Sequence, residues 1–353
     1  MAGGSSEVMR AAVYLQPGEV AVEERPVPEL AARDVLLEVS HCGVCGSDLH
    51  MFVEGWARPG SIGGHEYSGR VVAVGPDVSR WSVGDAAIGG PSRKCGECEY
   101  CRAGRPQLCS GRSDPGMGDF QGAFAEFVRV HEDEAVAVPD GVSMRAAALT
   151  EPLAVALHGL TRGGVQAGQR VLVTGAGPIG ALSVAACKAR GVDDVVVSEP
   201  HPRRRALAEQ LGAVTITPDD LPRPAMPFDI VDEPFDVVLE CSGHAGAMEA
   251  GLAQLRGGGS LVLVGAGMKP PRFDPNRIIL NELVITGAFV YDPDGFQRAL
   301  ELLASPGFPV DTLLEPDDVS LEGLLDAVNG LVAGELPGKV LVSPNGADGG
   351  SGR

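Results

Sequence analysis

The sequence predicts an α/β protein in two parts, an antiparallel barrel-like β domain followed by a doubly wound parallel sheet. Three observations carry this. Short β-rich runs crowd the chain from Met9 to about Val142, strand and helix patterns alternate from about Glu151, and the glycines Gly175, Gly177 and Gly180 stand at a strand-to-helix junction. With 353 residues, 44% of them hydrophobic, the chain can supply two cores.

The first part, residues 9–152, reads as AAVYL, VAVEE, DVLLEVS, GRVVAVG, FAEFVRV and AVAVP separated by Gly, Pro and Asp turns, as antiparallel strands require. In residues 153–290 the texture changes. VLVTG precedes a helix at 179–190, VVVSE precedes 203–211, and FDVVLEC precedes 245–255, with SLVLVG and LVITGAFV closing the sheet. Residues 291–344 contribute helical stretches at 295–304 and 321–333 and a last strand, KVLVS, and are expected to return to the first domain. Residues 1–8 and 345–353 are Gly- and Ser-rich and are expected to be disordered tails.

A formal charge of -19 leaves no basic surface for phosphate backbones or anionic membranes. No stretch approaches the roughly 18 apolar residues of a membrane span, and the first eight residues lack a signal peptide's apolar segment, so a cytoplasmic protein is expected. In a reducing compartment the eight cysteines point to metal ligation or burial, not to disulfides.

Cys95, Cys98, Cys101 and Cys109 form C-x2-C-x2-C-x7-C, a spacing that lets four thiolates converge on one tetrahedral ion. Four thiolates leave zinc no open position, so this lobe predicts a structural metal. Gly96 and Gly104 give it room to bend. Cys187, in an apolar helix, and Cys241, ending a buried strand, read as core fillers. A second set of metal-ligating residues is scattered through HCGVCGSDLH (41–50), GGHEYSG (63–69) and TEPLAVALHG (150–159).

With these motifs in order, C-G-S-D-x-H, G-H-E, the four-cysteine lobe, E-P-L and the glycine fingerprint, nearly the whole chain resembles the zinc-dependent medium-chain dehydrogenases of the alcohol dehydrogenase superfamily. Its pattern is closest to the polyol, butanediol and threonine dehydrogenase branch. The resemblance implies a GroES-like catalytic domain and a Rossmann dinucleotide domain. It implies two zinc ions per subunit, with Cys45 and His65 as ligands of the catalytic one and Glu66 or Glu151 as the carboxylate ligand. Cys42 does not align with the ligand. Glu151 stands where dehydrogenases of simple primary alcohols place a second cysteine, and the sequence does not choose between Glu66 and Glu151. The resemblance further implies that zinc, as a Lewis acid, stabilises the alkoxide that expels hydride. By the same resemblance Ser47 is expected to touch the substrate oxygen and His50 to pass the proton outward by way of the cofactor ribose. Asp48 is a candidate for orienting a ligand. Phe52, Trp56 and Met117 correspond roughly to the pocket rim.

The fingerprint VLVTGAGPIG, with Gly175, Gly177, Pro178, Ile179 and Gly180, brings a pyrophosphate to a helix N-terminus. The next strand ends on Glu199, placed to hold the adenosine ribose and to repel a 2′-phosphate, which favours NAD. Arg203 and Arg204 lie close behind and keep NADP open. The function expected is zinc-dependent hydride transfer between an alcohol, secondary alcohols and polyols foremost, and NAD(P). A zinc-independent quinone or enoyl reductase, or a non-catalytic relative on the same fold, is the alternative. The apolar last strand of the sheet predicts a homodimer or homotetramer.

Overall fold

The computed structural model describes residues 7–90, 93–112 and 121–346. The chain divides into two compact units: Met1–Glu151 with Glu315–Ala333 and Lys339–Arg353, and Pro152–Leu314 with Gly334–Gly338.

In the first unit β1 (Val8–Gln16) and β2 (Glu19–Pro26) form an antiparallel hairpin. The other strands are β3 (Asp34–Gly43), β4 (Glu66–Val74), β5 (Ala86–Gly89), β6 (Phe127–His131) and β7 (Ala135–Ala137). β3, β4, β5 and β7 lie side by side, each pair antiparallel. β6 pairs with the first half of β3, from Asp34 to Glu38.

In the second unit six parallel strands are β8 (Arg170–Thr174), β9 (Asp194–Ser198), β10 (Val214–Ile216), β11 (Phe235–Glu240), β12 (Leu255–Leu263) and β13 (Val284–Gly287). Their order, β10-β9-β8-β11-β12-β13, is doubly wound, with the switch point between β8 and β11. Val171–Val173, Val195–Val197 and Val237–Leu239 are buried without alternation, because helices cover both faces of such a sheet. Leu172, Val196, Val238, Leu252 and Leu261 belong to one apolar core. The last strand of the chain, β14 (Leu341–Val342), pairs antiparallel with Cys42 and Gly43, so it shares one edge of β3 with β6.

Two boundaries differ from expectation. Residues 291–314 belong to the second unit. Its helix Gly295–Leu303 buries Phe296, Ala299, Leu300 and Leu303, and Tyr291 packs on Phe296 at 4.4 Å between ring centroids. The ends are also more ordered than their composition: Val8 pairs with Pro26, and the Asn345 amide donates to the Val39 carbonyl at 3.1 Å. Residues 1–6 and 347–353 of the expected tails lie outside the described residues, as does Met117.

Candidate active site and cofactor cradle

The first unit gathers its chemistry at one end of β3 and β4. Cys45 caps the helix Gly46–Phe52, and its N–H donates to Asp48 Oδ2 at 2.8 Å. Asp48 is fully buried, and burial pushes its carboxyl up to about 6. Across the sheet, His65 immediately precedes β4, and antiparallel register sets Glu66 opposite Gly43. Gly43 is required there: a Cβ would lie 2.2 Å from Glu66 Oε2. Gly64, at φ +91°, turns the chain into His65, and a Cβ on it would strike Cys42 Sγ and the Phe124 nitrogen. One ligand atom from each of Cys45, His65 and Glu66 lies within 4.8 Å of the others. Burial works against a charged His65, but Cys45, Glu151 and Asp48 outweigh it and hold the imidazole well above its ordinary pKa.

Glu151, second residue of the helix Thr150–Gly163, is buried and outside that close set. Burial pushes its carboxyl up to about 7, against the pull of His65. The residue that sequence reasoning missed is Lys339. It is buried just before β14, and its ammonium donates to Glu66 Oε1 at 2.8 Å, to Glu66 Oε2 at 2.7 Å and to the Val44 carbonyl at 3.0 Å. Nothing in G-K-V-L-V marks this lysine, because its partners come from the other end of the chain.

Ser47 is exposed on the first turn of the Cys45 helix. His50, on the same helix, pairs through Nδ1 with Glu54 at 2.7 Å and stacks on Trp56 at 4.9 Å. Trp56 is exposed, but Phe52 is no rim residue: it is fully buried against Tyr14 and Phe124, because it faces inward from a one-sided helix.

The four-cysteine lobe is built from its own backbone. Cys95, Cys98, Cys101 and Cys109 bring their sulfurs within 4.8 Å of one another. The Cys98 N–H donates to Cys95 Sγ at 3.4 Å and the Cys101 N–H to Cys98 Sγ at 3.5 Å. Donors from Cys101 and Ser110 push the Cys98 thiol down to about 6. Both donor sets fit zinc: four thiols that close a tetrahedron, and a mixed sulfur, nitrogen and oxygen set that leaves a position open.

In the second unit β8 runs through the glycine turn into the helix Pro178–Ala189. Gly175, at φ +88°, faces Ser242, which a Cβ would meet at 2.7 Å, and a Cβ on Gly180 would lie 2.0 Å from the Gly175 carbonyl. Gly177 caps the helix with open space beside it: a Cβ there would meet nothing nearer than the Arg204 guanidinium at 3.9 Å. That space before a helix N-terminus, which leaves Pro178 and Ile179 in its first turn, is what a pyrophosphate requires. Glu199, the residue after β9, is almost fully buried and accepts the Ala176 N–H at 2.7 Å and the His201 N–H at 2.8 Å. Arg203 turns away to the Glu335 carbonyl at 2.9 Å.

Comparison with known proteins agrees with this geometry. Residues 31–140 match the alcohol dehydrogenase GroES-like domain, and residues 178–305 match the zinc-binding dehydrogenase domain. A sorbitol dehydrogenase of Bacillus subtilis is 34% identical over 91% of this chain and 92% of its own. This chain belongs to the zinc-dependent medium-chain alcohol dehydrogenase family. An L-threonine 3-dehydrogenase of Chelativorans is also 34% identical, over 87% of this chain and 90% of its own. A zinc-binding dehydrogenase of Sinorhizobium meliloti, solved with NADP, superposes with a TM-score of 0.85 at 30% identity, covering 96% of this chain and 100% of the other. As a member of the family the chain is an NAD(P)-dependent oxidoreductase of alcohols. Among its described residues no helix is long and apolar enough to cross a membrane.

Proposed function

We propose that this dehydrogenase oxidises a secondary alcohol whose neighbouring carbon carries a hydroxyl or amino group, with NAD as the preferred acceptor. The observation that carries the reading is the convergence of Cys45, His65 and Glu66 beside a buried Glu151 and with no second cysteine in the set. Sorbitol and L-threonine, named for the two relatives, share that vicinal pattern.

Cys45, His65 and Glu66 would hold the catalytic zinc, with Glu151 as the outer carboxylate, and Cys95, Cys98, Cys101 and Cys109 the structural one. When bound, the catalytic zinc supplies a Lewis acid at the substrate oxygen. The side chains do the rest. Lys339 holds both oxygens of Glu66, which fixes the direction of the carboxylate and still leaves each oxygen a lone pair. The Ser47 hydroxyl accepts the proton of the substrate hydroxyl as it gives up its own, which leaves by way of the cofactor ribose to the His50 imidazole, whose Nδ1 is held by Glu54. Gly175, Gly177 and Gly180 cradle the pyrophosphate, Glu199 disfavours a 2′-phosphate, and Arg204, beside Gly177, is the group that would accommodate NADP.

A cytoplasmic location is supported by eight cysteines that form no disulfide and of which five serve the two metal sets, a state that a reducing compartment maintains. A homo-oligomer, dimer or tetramer, is supported by β13, an edge strand that opens on the exposed Val284 and is preceded by the exposed Ile279 and Leu280. A monomer by light scattering would remove that part of the proposal.

The deciding experiment is a panel of primary alcohols, secondary alcohols, vicinal diols, sugar alcohols and β-hydroxy amino acids, scored by NADH formation before and after metal removal. Turnover confined to vicinal secondary alcohols and lost on chelation is expected. Activity that survives removal of all metal would favour a zinc-independent reductase.

A further inference from the structure

At the switch point of the parallel sheet the chain buries a second carboxylate that the reading so far does not use. Glu240 ends β11 and is wholly inaccessible to solvent. Its Oε1 accepts the Ser242 N–H at 2.9 Å, the Ser242 hydroxyl and the Thr174 hydroxyl at 3.5 Å. The Gly243 N–H donates to both oxygens, at 3.1 Å each. All of these partners act as donors, and none is a cation. Burial pushes the carboxyl up while the same donors pull it back.

These bonds fold residues 241–243 over the end of the strand. The turn that results is walled by glycines. Gly243 stands at φ +71°, a Cβ on Gly265 would lie 2.4 Å from its nitrogen, and a Cβ on Gly267 would lie 1.7 Å from its oxygen. On the other side Gly175, first glycine of the fingerprint, admits no Cβ because of Ser242. The Cys241 N–H donates to the Thr174 carbonyl at 2.9 Å, so the turn is also tied to the strand that feeds the fingerprint. In sheets of this order a dinucleotide spans the switch point, its adenosine on the β8–β9 side and its other half on the β11–β12 side.

We propose that Glu240 is a positioning residue of the cofactor site: its carboxylate sets the Ser242–Gly243 turn, and that turn shapes the crevice for the nicotinamide half of the dinucleotide. The proposal rests on the glycine turn after β8 being the dinucleotide cradle. Glu199 does the corresponding work on the adenosine side, accepting one backbone N–H from Ala176 in the glycine turn after β8 and one from His201 in its own loop. Each half of the site is thus organised by one buried carboxylate at the end of a strand.

The isosteric Glu240→Gln removes the charge and keeps one acceptor oxygen, so its NH2 group stands against the Gly243 N–H in either orientation and against the Ser242 donors in one. The dissociation constant of NADH, read from its fluorescence, should rise by roughly 10-fold or more, as expected for a lost charge-assisted hydrogen bond. AMP fills only the adenosine side and should bind within about twofold of the unmodified protein. A role confined to holding the fold would weaken both probes together, so equal losses for AMP and NADH would overturn the proposal. So would an NADH affinity unchanged in folded Glu240→Gln. Should that variant fail to fold, Ser242→Ala removes a single donor. It should give the same split at about threefold, and no split would count against the proposal. Failure of the unmodified protein to bind either probe would overturn the dinucleotide cradle and this proposal with it.

Discussion

The two metal-binding groups of the first unit are built in opposite ways. The lobe at residues 95–109 closes on itself: its sulfurs accept N–H groups from within the same loop, and Cys95 remains exposed. The group around Cys45 draws on the end of β3, the start of β4, the first turn of the helix Thr150–Gly163 and Lys339 two residues before β14, and Glu66 and Lys339 within it are almost wholly buried. A local loop can be altered with consequences for stability alone. The dispersed group is tied into the core through Glu66 and Lys339, which depend on each other because neither can turn to water, while Cys45 and His65 are only half-buried.

The sharpest way to break this contrast is a pair of variants. His65→Ala should abolish turnover and leave the thermal midpoint nearly unchanged, whereas Cys98→Ser should lower the midpoint strongly. Metal analysis should find two zinc ions per subunit in the unmodified protein and one in each variant. A single ion in fully loaded unmodified protein would end the comparison.

Next in size is Lys339→Met. It strands a buried carboxylate and should cost about 3–5 kcal/mol in urea denaturation. Adding Glu66→Gln should recover most of that loss, since removing both charges spares the uncompensated one. An additive double variant would mean that the two residues do not act as a pair.

Glu66→Gln and Glu151→Gln should each lower kcat by on the order of 10²-fold. The larger loss of zinc affinity, measured by chelator competition, should fall on Glu66, which belongs to the close set with Cys45 and His65. A larger loss at Glu151 would reassign the ligand.

The smallest effect belongs to the second unit. Glu199→Ala should raise kcat/KM with NADP relative to NAD by about 10-fold, near 1.4 kcal/mol. Part of the effect will be loosening of the loop, because this carboxylate also accepts the Ala176 and His201 N–H groups. If the unmodified protein already prefers NADP, the role given to Glu199 is wrong.

What could be read without coordinates follows from how far apart in sequence the interacting parts lie. The order of β8, β9, β11 and β12 and the helices between them was legible because each is a local pattern: an apolar strand run, a glycine turn, an apolar helix. The boundary near residue 314 was not, since helical periodicity in Gly295–Leu303 does not say which core its apolar face enters. Phe52 was misplaced for a related reason, because an aromatic near a site is as readily core as rim.

By itself, then, the sequence determined the fold class, the four-cysteine lobe and the glycine turn, each specified by spacing within a short stretch. The resemblance carried by its ordered motifs supplied Cys45, His65 and the two carboxylate candidates. Only the tertiary structure decided that Lys339 clasps Glu66, that Glu199 is bound to the glycine turn after β8 and that Glu240 shapes the turn after β11. The physical reason is that a charge can be buried only where partners converge on it. For Lys339 those partners are nearly three hundred positions away (|i−j| = 273 and 295), and for Glu240 they include the strand end across the switch point.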